Sequence, residues 1–425
     1  MKILLSAYSC VPGMGSEPGV GWNAVEQAAR FHSLWVLTHA EGRQEIEAAS
    51  GALPNVRFVI LDLPPWALFW KNDRRGQRVH YYLWQLAAYI VGRRLHRKVG
   101  FDLVHHVTFV QYSTPCLLAL LPIPFIWGPV GGGESAPAAF WWSFSLRGKI
   151  FELLRSFARK MGECDPFVRC TARRAALGLA TTEDTARRMR LLGCRRVSVR
   201  SAVGLSPQEV SRLSSVPFRQ SSPFRLLSVG RLVHLKGFDL GLRAFAQIQH
   251  RLPETEYWIV GEGPERKRLE TLASDLGITA KVRFWGHIAR EQVLEKVTEC
   301  DVLVHPSLHD SGGWVCLEAM AAGRPVVCLD LGGPGVQVTE DTGIKVTANA
   351  PDQTVADMAK AFLQLAKDPK LRFRMGEASR QRVEEHFAWL RKGDSMSTIY
   401  ENTVAARRQV ELTNGAYVPE ARIEQ

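Results

Sequence analysis

The segment from Cys300 to Leu329 leaves this chain few folds to choose from. Cys300, Asp301, Val302, Leu303 and Val304 form a short apolar strand that runs into the polar loop H-P-S-L-H-D-S-G-G-W. Asp310 and Glu318 then stand on either side of seven residues. Glu318 opens E-A-M-A-A, a run of good helix formers. Gly323 stops that helix, Pro325 forbids its return, and Val326–Leu329 reads as the next buried strand. Strand, glycine loop, helix, strand is one βαβ crossover, which commits the chain to a parallel sheet.

Such a unit has a chemical use. Ser311, Gly312 and Gly313 let backbone N–H groups approach a ligand, and the helix N-terminus adds about half a positive charge. Two carboxylates there can accept hydrogen bonds from vicinal hydroxyls, so a sugar joined to a phosphate suits the loop. Ordinary capping, with Glu318 serving only the helix dipole, is the alternative reading.

The same unit recurs along the chain. Ile3–Ala7 leads into S-C-V-P-G-M-G-S-E-P-G-V-G-W, with a helix expected from about Asn23 to Phe31, which leaves Gly19 and Gly21 in the loop. Ser33–Thr38 and Val56–Leu61 read as further strands. The strand Phe101–Thr108 carries His105 and His106 at its C-terminal end, where open α/β sheets place ligands. They point to opposite sides, and the sequence does not choose between them. Phe125–Trp127 precedes G-P-V-G-G-G-E, in which Gly131, Gly132 and Glu134 are candidate acceptor contacts or simple turn residues. Arg196–Val203 reads as the last strand of this half, and the Ser- and Pro-rich stretch up to Pro223 as a linker.

In the second half, Phe224–Val229 runs into G-R-L-V-H-L-K-G. There Arg231 and Lys236 flank a loop opened by Gly230 and closed by Gly237. Two cations on one short loop call for an anion between them, and a diphosphate fits. Tyr257–Val260 ends in G-E-G-P with Gly261, and Val282–Trp285 ends in G-H-I with Gly286 and His287. The glycines after Asp330 read as one more strand-end loop.

The string P-S…G-G-W…L-E-A-M-A-A-G-R-P-V-V and the spacing G-R-L-x(3)-K-G resemble glycosyltransferase family 4. These are retaining enzymes of the GT-B fold, two facing Rossmann-like domains around a deep cleft. The resemblance covers nearly all of Phe224–Phe387 and, more loosely, the first half. It implies a domain at 1–205 for the acceptor, a linker at 206–223 and a donor domain at 224–387. A last helix within 388–425 would cross back to the first domain. It implies that Arg231 and Lys236 neutralise the leaving diphosphate and that Glu318 holds the ribose. Asp310, Ser311 and the N–H groups of Gly312, Gly313 and Trp314 would hold the sugar. Gly19, Gly21, Gly230, Gly261, Gly286 and His287 would line the nucleotide. A histidine at 105 or 106 would face donor and acceptor. The family's first carboxylate is usually Glu, here Asp310, and the usual aromatic two residues later is Gly312.

The reaction implied is hexose transfer from a UDP- or GDP-linked donor to a saccharide or lipid-linked acceptor, in cell-envelope polysaccharide or glycolipid synthesis. The resemblance implies attack from the front face, and no side chain is an obvious nucleophile. No cofactor is expected. Arg and Lys stand in for a metal, and the chain has no D-x-D motif. A sugar-nucleotide epimerase and an inactive scaffold subunit of the same fold remain open.

Composition narrows the partners. The net charge is +12, which suits an anionic surface or phosphorylated substrates. No zinc-finger, RRM or basic-zipper pattern is present, so nucleic acid is not expected. The eight cysteines include no C-x-x-C pair, so reduced thiols, a cytoplasmic location and no zinc are expected. No apolar run reaches the ~18 residues a membrane span needs. Two segments, Trp66–Arg97 and Phe140–Lys160, interleave aromatics with Arg and Lys. They suggest a peripheral contact with the anionic inner face of a membrane, or else core-facing helices with solvated basic sides.

Overall fold

The computed structural model describes residues 1–63, 74–109, 111–218 and 222–415. Two wholly parallel sheets organise it. The first contains β1 (Lys2–Ala7), β2 (Ser33–His39), β3 (Val56–Leu61), β4 (Leu103–Thr108), β5 (Phe125–Val130), β6 (Leu177–Ala180) and β7 (Val197–Val199), in the order β3-β2-β1-β4-β5-β6-β7. The second contains β8 (Phe224–Val229), β9 (Thr255–Val260), β10 (Val282–Gly286), β11 (Val302–His305), β12 (Val326–Leu329) and β13 (Gly343–Val346), in the order β10-β9-β8-β11-β12-β13. Helices cover both faces of each sheet. This is why central strands such as V-L-V-H and V-V-C-L are continuously buried rather than alternating. Strand order reverses between β1 and β4 in one sheet and between β8 and β11 in the other. Crevices for ligands open at such points.

Several element boundaries differ from the sequence reading. The first helix, α1 (Ser16–Ala29), starts seven residues before Asn23, so Gly19 and Gly21 lie inside it and not in a loop. A Cβ on Gly19 would sit 2.0 Å from the Met14 carbonyl oxygen, and one on Gly21 would sit 2.1 Å from that of Ser9. These glycines let the helix press on the loop after β1. The last strand of the first sheet is only Val197–Val199. The stretch read as linker contains a helix, α7 (Pro207–Ser214), opened by a reciprocal capping box between Ser206 and Glu209. The helix of the opening motif, α11 (Trp314–Ala321), begins four residues before Glu318. The glycines after Asp330 start a short helix, α12 (Gly332–Gln337).

The chain passes between the two halves twice, and the passages touch. Leu205 N–H donates to the Phe387 carbonyl at 3.0 Å, and Trp389 N–H to the Leu205 carbonyl at 2.9 Å. The last helix, α15 (Trp389–Gly415), then lies on α1, with Gly393 making room for Gln27.

Candidate functional site

The C-terminal ends of β8, β9 and β10 form a floor of backbone. Gly230 N–H donates to the Val260 carbonyl and Gly261 N–H to the Gly286 carbonyl, at 2.9 and 2.8 Å. A Cβ on Gly261 would fall 2.0 Å from the Gly230 oxygen, so only glycine lets these strand ends stack so closely. His287, next along, is exposed. Arg231 projects from this floor, exposed and in no ion pair among the described residues.

The loop after β8 and the loop after β11 are zipped together. Leu308 N–H and the Ser307 hydroxyl both donate to the Leu235 carbonyl, at 2.9 and 3.2 Å. Gly237, at φ +60°, brings its backbone against the Pro306 carbonyl. This zipper sets Lys236 beside Asp310, Nζ to Oδ2 2.5 Å. His305 Nε2–H donates to the same oxygen at 3.0 Å, and Oδ1 accepts from Gly312 and Gly313 N–H, both at 3.0 Å. Burial opposes the charge of Asp310, but His305 and Lys236 outweigh it and hold the carboxyl well below its usual range. The amides of Gly312 and Gly313, assigned above to the sugar, are therefore turned onto Asp310. Ser311 faces the other domain: a Cβ on Gly131 would lie 3.1 Å from the Ser311 Cβ. Trp314 is half-buried against the core beneath, with no described partner for its indole nitrogen.

Glu318 is buried on α11, in its second turn. It pairs with Arg290 at 2.6 Å, the first residue of a helix Arg290–Glu299, and Arg290 also reaches Glu209 at 3.2 Å. Burial raises the Glu318 pKa against the opposing pull of Arg290.

On the facing domain, His105 is enclosed. The Gly128 carbonyl can only accept, so Nε2–H donates to it at 2.6 Å, and Nδ1 accepts from the Tyr400 hydroxyl at 2.7 Å. His106 Nε2–H reaches the Phe109 carbonyl at 3.3 Å, and Nδ1 lies 3.4 Å from the Ser6 hydroxyl. Burial lowers both histidines to about 4, so both are neutral. In this conformation neither is free to face a donor, and His105 fastens α15 to β4. Glu134 is likewise occupied: it accepts from Gly132 N–H at 2.9 Å and from the hydroxyls of Thr182 and Thr185 at 2.5 and 3.0 Å. These bonds make Glu134 the clasp of the Gly131–Gly133 loop, the turn role that the sequence also allowed. Gly19 and Gly21 lie buried in the first two turns of α1.

The structure thus brings together Gly230, Arg231, Lys236, Gly261, Gly286, Asp310 and Ser311, with Gly131 opposite. It also adds residues not singled out from the sequence. His234, in the loop between Arg231 and Lys236, and His309, beside Asp310, meet a helix of the other domain, α4 (Leu146–Cys164). Glu152 of α4 pairs with Arg155 at 2.7 Å and lies 3.6 Å from His234 Nε2. Burial, then Arg155, lowers His309 to about 4. Both histidines stood inside quoted motifs; their partner on α4 had no local signal.

Of the two aromatic-basic segments, 66–73 lies outside the described residues. The described part of the first, on α3 (Arg74–Val99), is largely core, with Tyr81 and Trp84 fully buried. In the second, Phe140 and Phe144 are buried, but the apolar stripe of α4 is exposed. Arg155 and Arg159, two of the basic residues of that segment, turn to the protein. Arg159 donates to the Glu134 carbonyl at 2.9 Å and the Ser135 hydroxyl at 2.7 Å. No described helix is long and apolar enough to cross a membrane.

Known proteins share this architecture. The family profile described as "Glycosyl transferases group 1" matches residues 212–382. The chain is 33% identical over 190 residues to the glycogen synthase of Mycobacterium tuberculosis (strain H37Rv), covering 44% of each protein. It is 34% identical over 181 residues to the D-inositol 3-phosphate glycosyltransferase of Corynebacterium jeikeium, covering 41% of this chain and 42% of that one. The match spans less than half the length of these curated relatives. Among solved structures, sucrose-phosphate synthase from Thermosynechococcus elongatus superposes with a TM-score of 0.64 at 20% identity, over 95% of this chain and 99% of that chain. Anabaena HepE, in complex with UDP and glucose, gives 0.57 at 18% identity, over 94% and 99%. The fold is GT-B, two Rossmann-like domains with parallel sheets.

Proposed function

We propose that this chain is a retaining hexosyltransferase of the family 4 type. It takes a hexose from a UDP- or GDP-linked donor and passes it to a saccharide or lipid-linked acceptor of cell-envelope polysaccharide or glycolipid synthesis. One observation carries this reading. Arg231, in no ion pair among the described residues, and the Lys236–Asp310 pair stand at the edge of a glycine-backbone floor, at the strand-order reversal of β8 and β11. A diphosphate laid there meets Arg231 directly and draws Lys236 from a carboxylate already holding it in position. Glu318 accepts the ribose hydroxyls once Arg290 swings aside. Ser311, facing Gly131, marks where donor sugar and acceptor meet. HepE, a protein of the same fold, was solved with UDP and glucose.

In the step itself, the bond from the anomeric carbon to the diphosphate oxygen breaks as the acceptor oxygen bonds to the same face. The acceptor's proton passes to the departing diphosphate. Arg231 and Lys236 stabilise the charge that develops on that group, the work a divalent metal does elsewhere. The enzyme acts in the cytoplasm, against the inner face of the membrane; its eight thiols are free.

A screen of UDP- and GDP-sugars for hydrolysis and transfer tests the reading. Arg231→Ala and Lys236→Ala should each lower turnover about a hundredfold or more. Near-wild-type rates in both would remove the leaving-group assignment. Conversion of the donor to an epimer without acceptor would replace transfer by epimerisation. Turnover should also survive excess EDTA; loss restored by magnesium or manganese would show that a metal carries the diphosphate.

A further inference from the structure

Helix α4 is inside out. A surface helix normally turns its apolar stripe to the core. Here Leu146, Ile150, Leu153, Leu154, Phe157 and Met161, spaced to share one side, are between 49% and 76% exposed. Trp142, just before the helix, is 87% exposed. The protein-facing side carries Gly148, Glu152, Arg155 and Arg159 instead. Gly148 packs on the His234 ring, and Glu152 and Arg155 meet His234 and His309.

The helix also straddles the two domains. The turn before it buries Phe140 and Phe144 in the same cluster as Leu235 and Leu308 of the donor domain. Its far end is fastened to its own domain, where Glu163 accepts from the Tyr112 hydroxyl at 2.5 Å and pairs with Arg188 at 3.1 Å.

We propose that α4 docks on an anionic bilayer through its outer face and that Glu152, on its inner face, positions the loops of Lys236 and Asp310. The identity of those loops as the donor site rests on the function proposed above. Charge selects the occupant. Arg147, Lys149 and Lys160 flank the apolar stripe, and the two acids of α4 are withdrawn, Glu152 buried and Glu163 paired. A second copy of a chain carrying +12 would meet like charge there; an anionic lipid surface meets opposite charge. Burying the stripe in lipid would fix α4, and α4 bears on both domains, so the bilayer would hold the loops of His234 and His309 in register with the N-terminal domain.

The full chain is mixed with vesicles of phosphatidylcholine alone or with phosphatidylglycerol. Co-sedimentation, light scattering, amide hydrogen exchange and the donor KM are read together. Wild type should pellet with anionic vesicles, less at high salt. Exchange over 233–237 and 309–313 should slow and the donor KM should fall. Leu153→Ser/Phe157→Ser should reduce pelleting about tenfold and lose both responses. Glu152→Gln should pellet like wild type and lose both responses; if it does not pellet, Glu152→Asp, which keeps the carboxylate, should restore binding and part of the responses. Equal recovery in the supernatant with all vesicles, or a dimer that buries the stripe without vesicle binding, overturns the docking. Pelleting with unchanged exchange overturns the coupling. Hydrogen exchange needs no substrate, so slowed exchange without any transfer would sink the transferase reading and leave this one standing.

Discussion

Asp310 and the histidine pair of β4 respond to acid in different windows. The Asp310 carboxyl sits below its unfolded value. Its contribution to stability is complete above the ordinary carboxylate range and is lost as pH falls through the lowered folded value. His105 and His106 are buried neutral, at about 4 rather than 6.5. Between those values the unfolded chain binds more protons, so stability falls as pH drops from about 6.5 to about 4, by on the order of 3 kcal/mol for each. Thermal melts across that window should show this slope, and His105→Gln should flatten part of it; an unchanged slope would mean His105 is not held neutral. That the loops after β8 and β11 carry glycines, cations and a carboxylate was legible because G-R-L-x(3)-K-G and the Asp310–Glu318 spacing are local strings. Their partners were not. Nothing near Asp310 in sequence says that its own loop amides and a lysine 74 residues away will fill its coordination. Nor could the strand pattern tell that a hydroxyl 295 residues on would cap His105.

At the scale of elements, strands were easier to read than helix starts. A strand buried on both faces is a plain apolar run, whereas a glycine needed for close packing looks like a glycine needed for a loop. That ambiguity misplaced the start of α1. The same glycines give a sharp expectation. Gly21→Ala forces a Cβ against the Ser9 carbonyl, which is backbone and cannot rotate away, so it should cost about 2 kcal/mol or more in denaturant unfolding. Gly51→Ala, at a helix end with open space around it, should change little. Equal effects at both sites would mean that propensity, and not the approach of α1 to the loop, decides. Helix α7 was legible in principle: S-P-Q-E is a capping-box string, and the Ser-Pro composition around it hid the signal. Helix α4 showed its amphipathic spacing in the sequence. Which side faced water was set by a different domain.

For the whole molecule, the two crossings of the chain are joined side by side at Leu205 and Ala388. That contact carries a consequence for how the protein is made. The N-terminal sheet leaves the ribosome first, yet its α1 face is closed by Tyr400 and Val404, which join the same cluster as Ile3, Leu5 and Val25. Of the two domains, the one synthesised earlier is thus the one completed later. The second domain can assemble while the first still lacks its final helix, and the pair is completed only once α15 has emerged. A fragment of residues 1–205 should be molten or aggregate when expressed alone. Adding residues 388–415 as a separate peptide should recover protection of β1 and β4 in hydrogen exchange, and equal protection with and without the peptide would show that the nascent N-terminal half needs no such partner. Frameshifts and truncations before α15 would then act on the N-terminal sheet, leaving the second domain folded beside an unfinished neighbour.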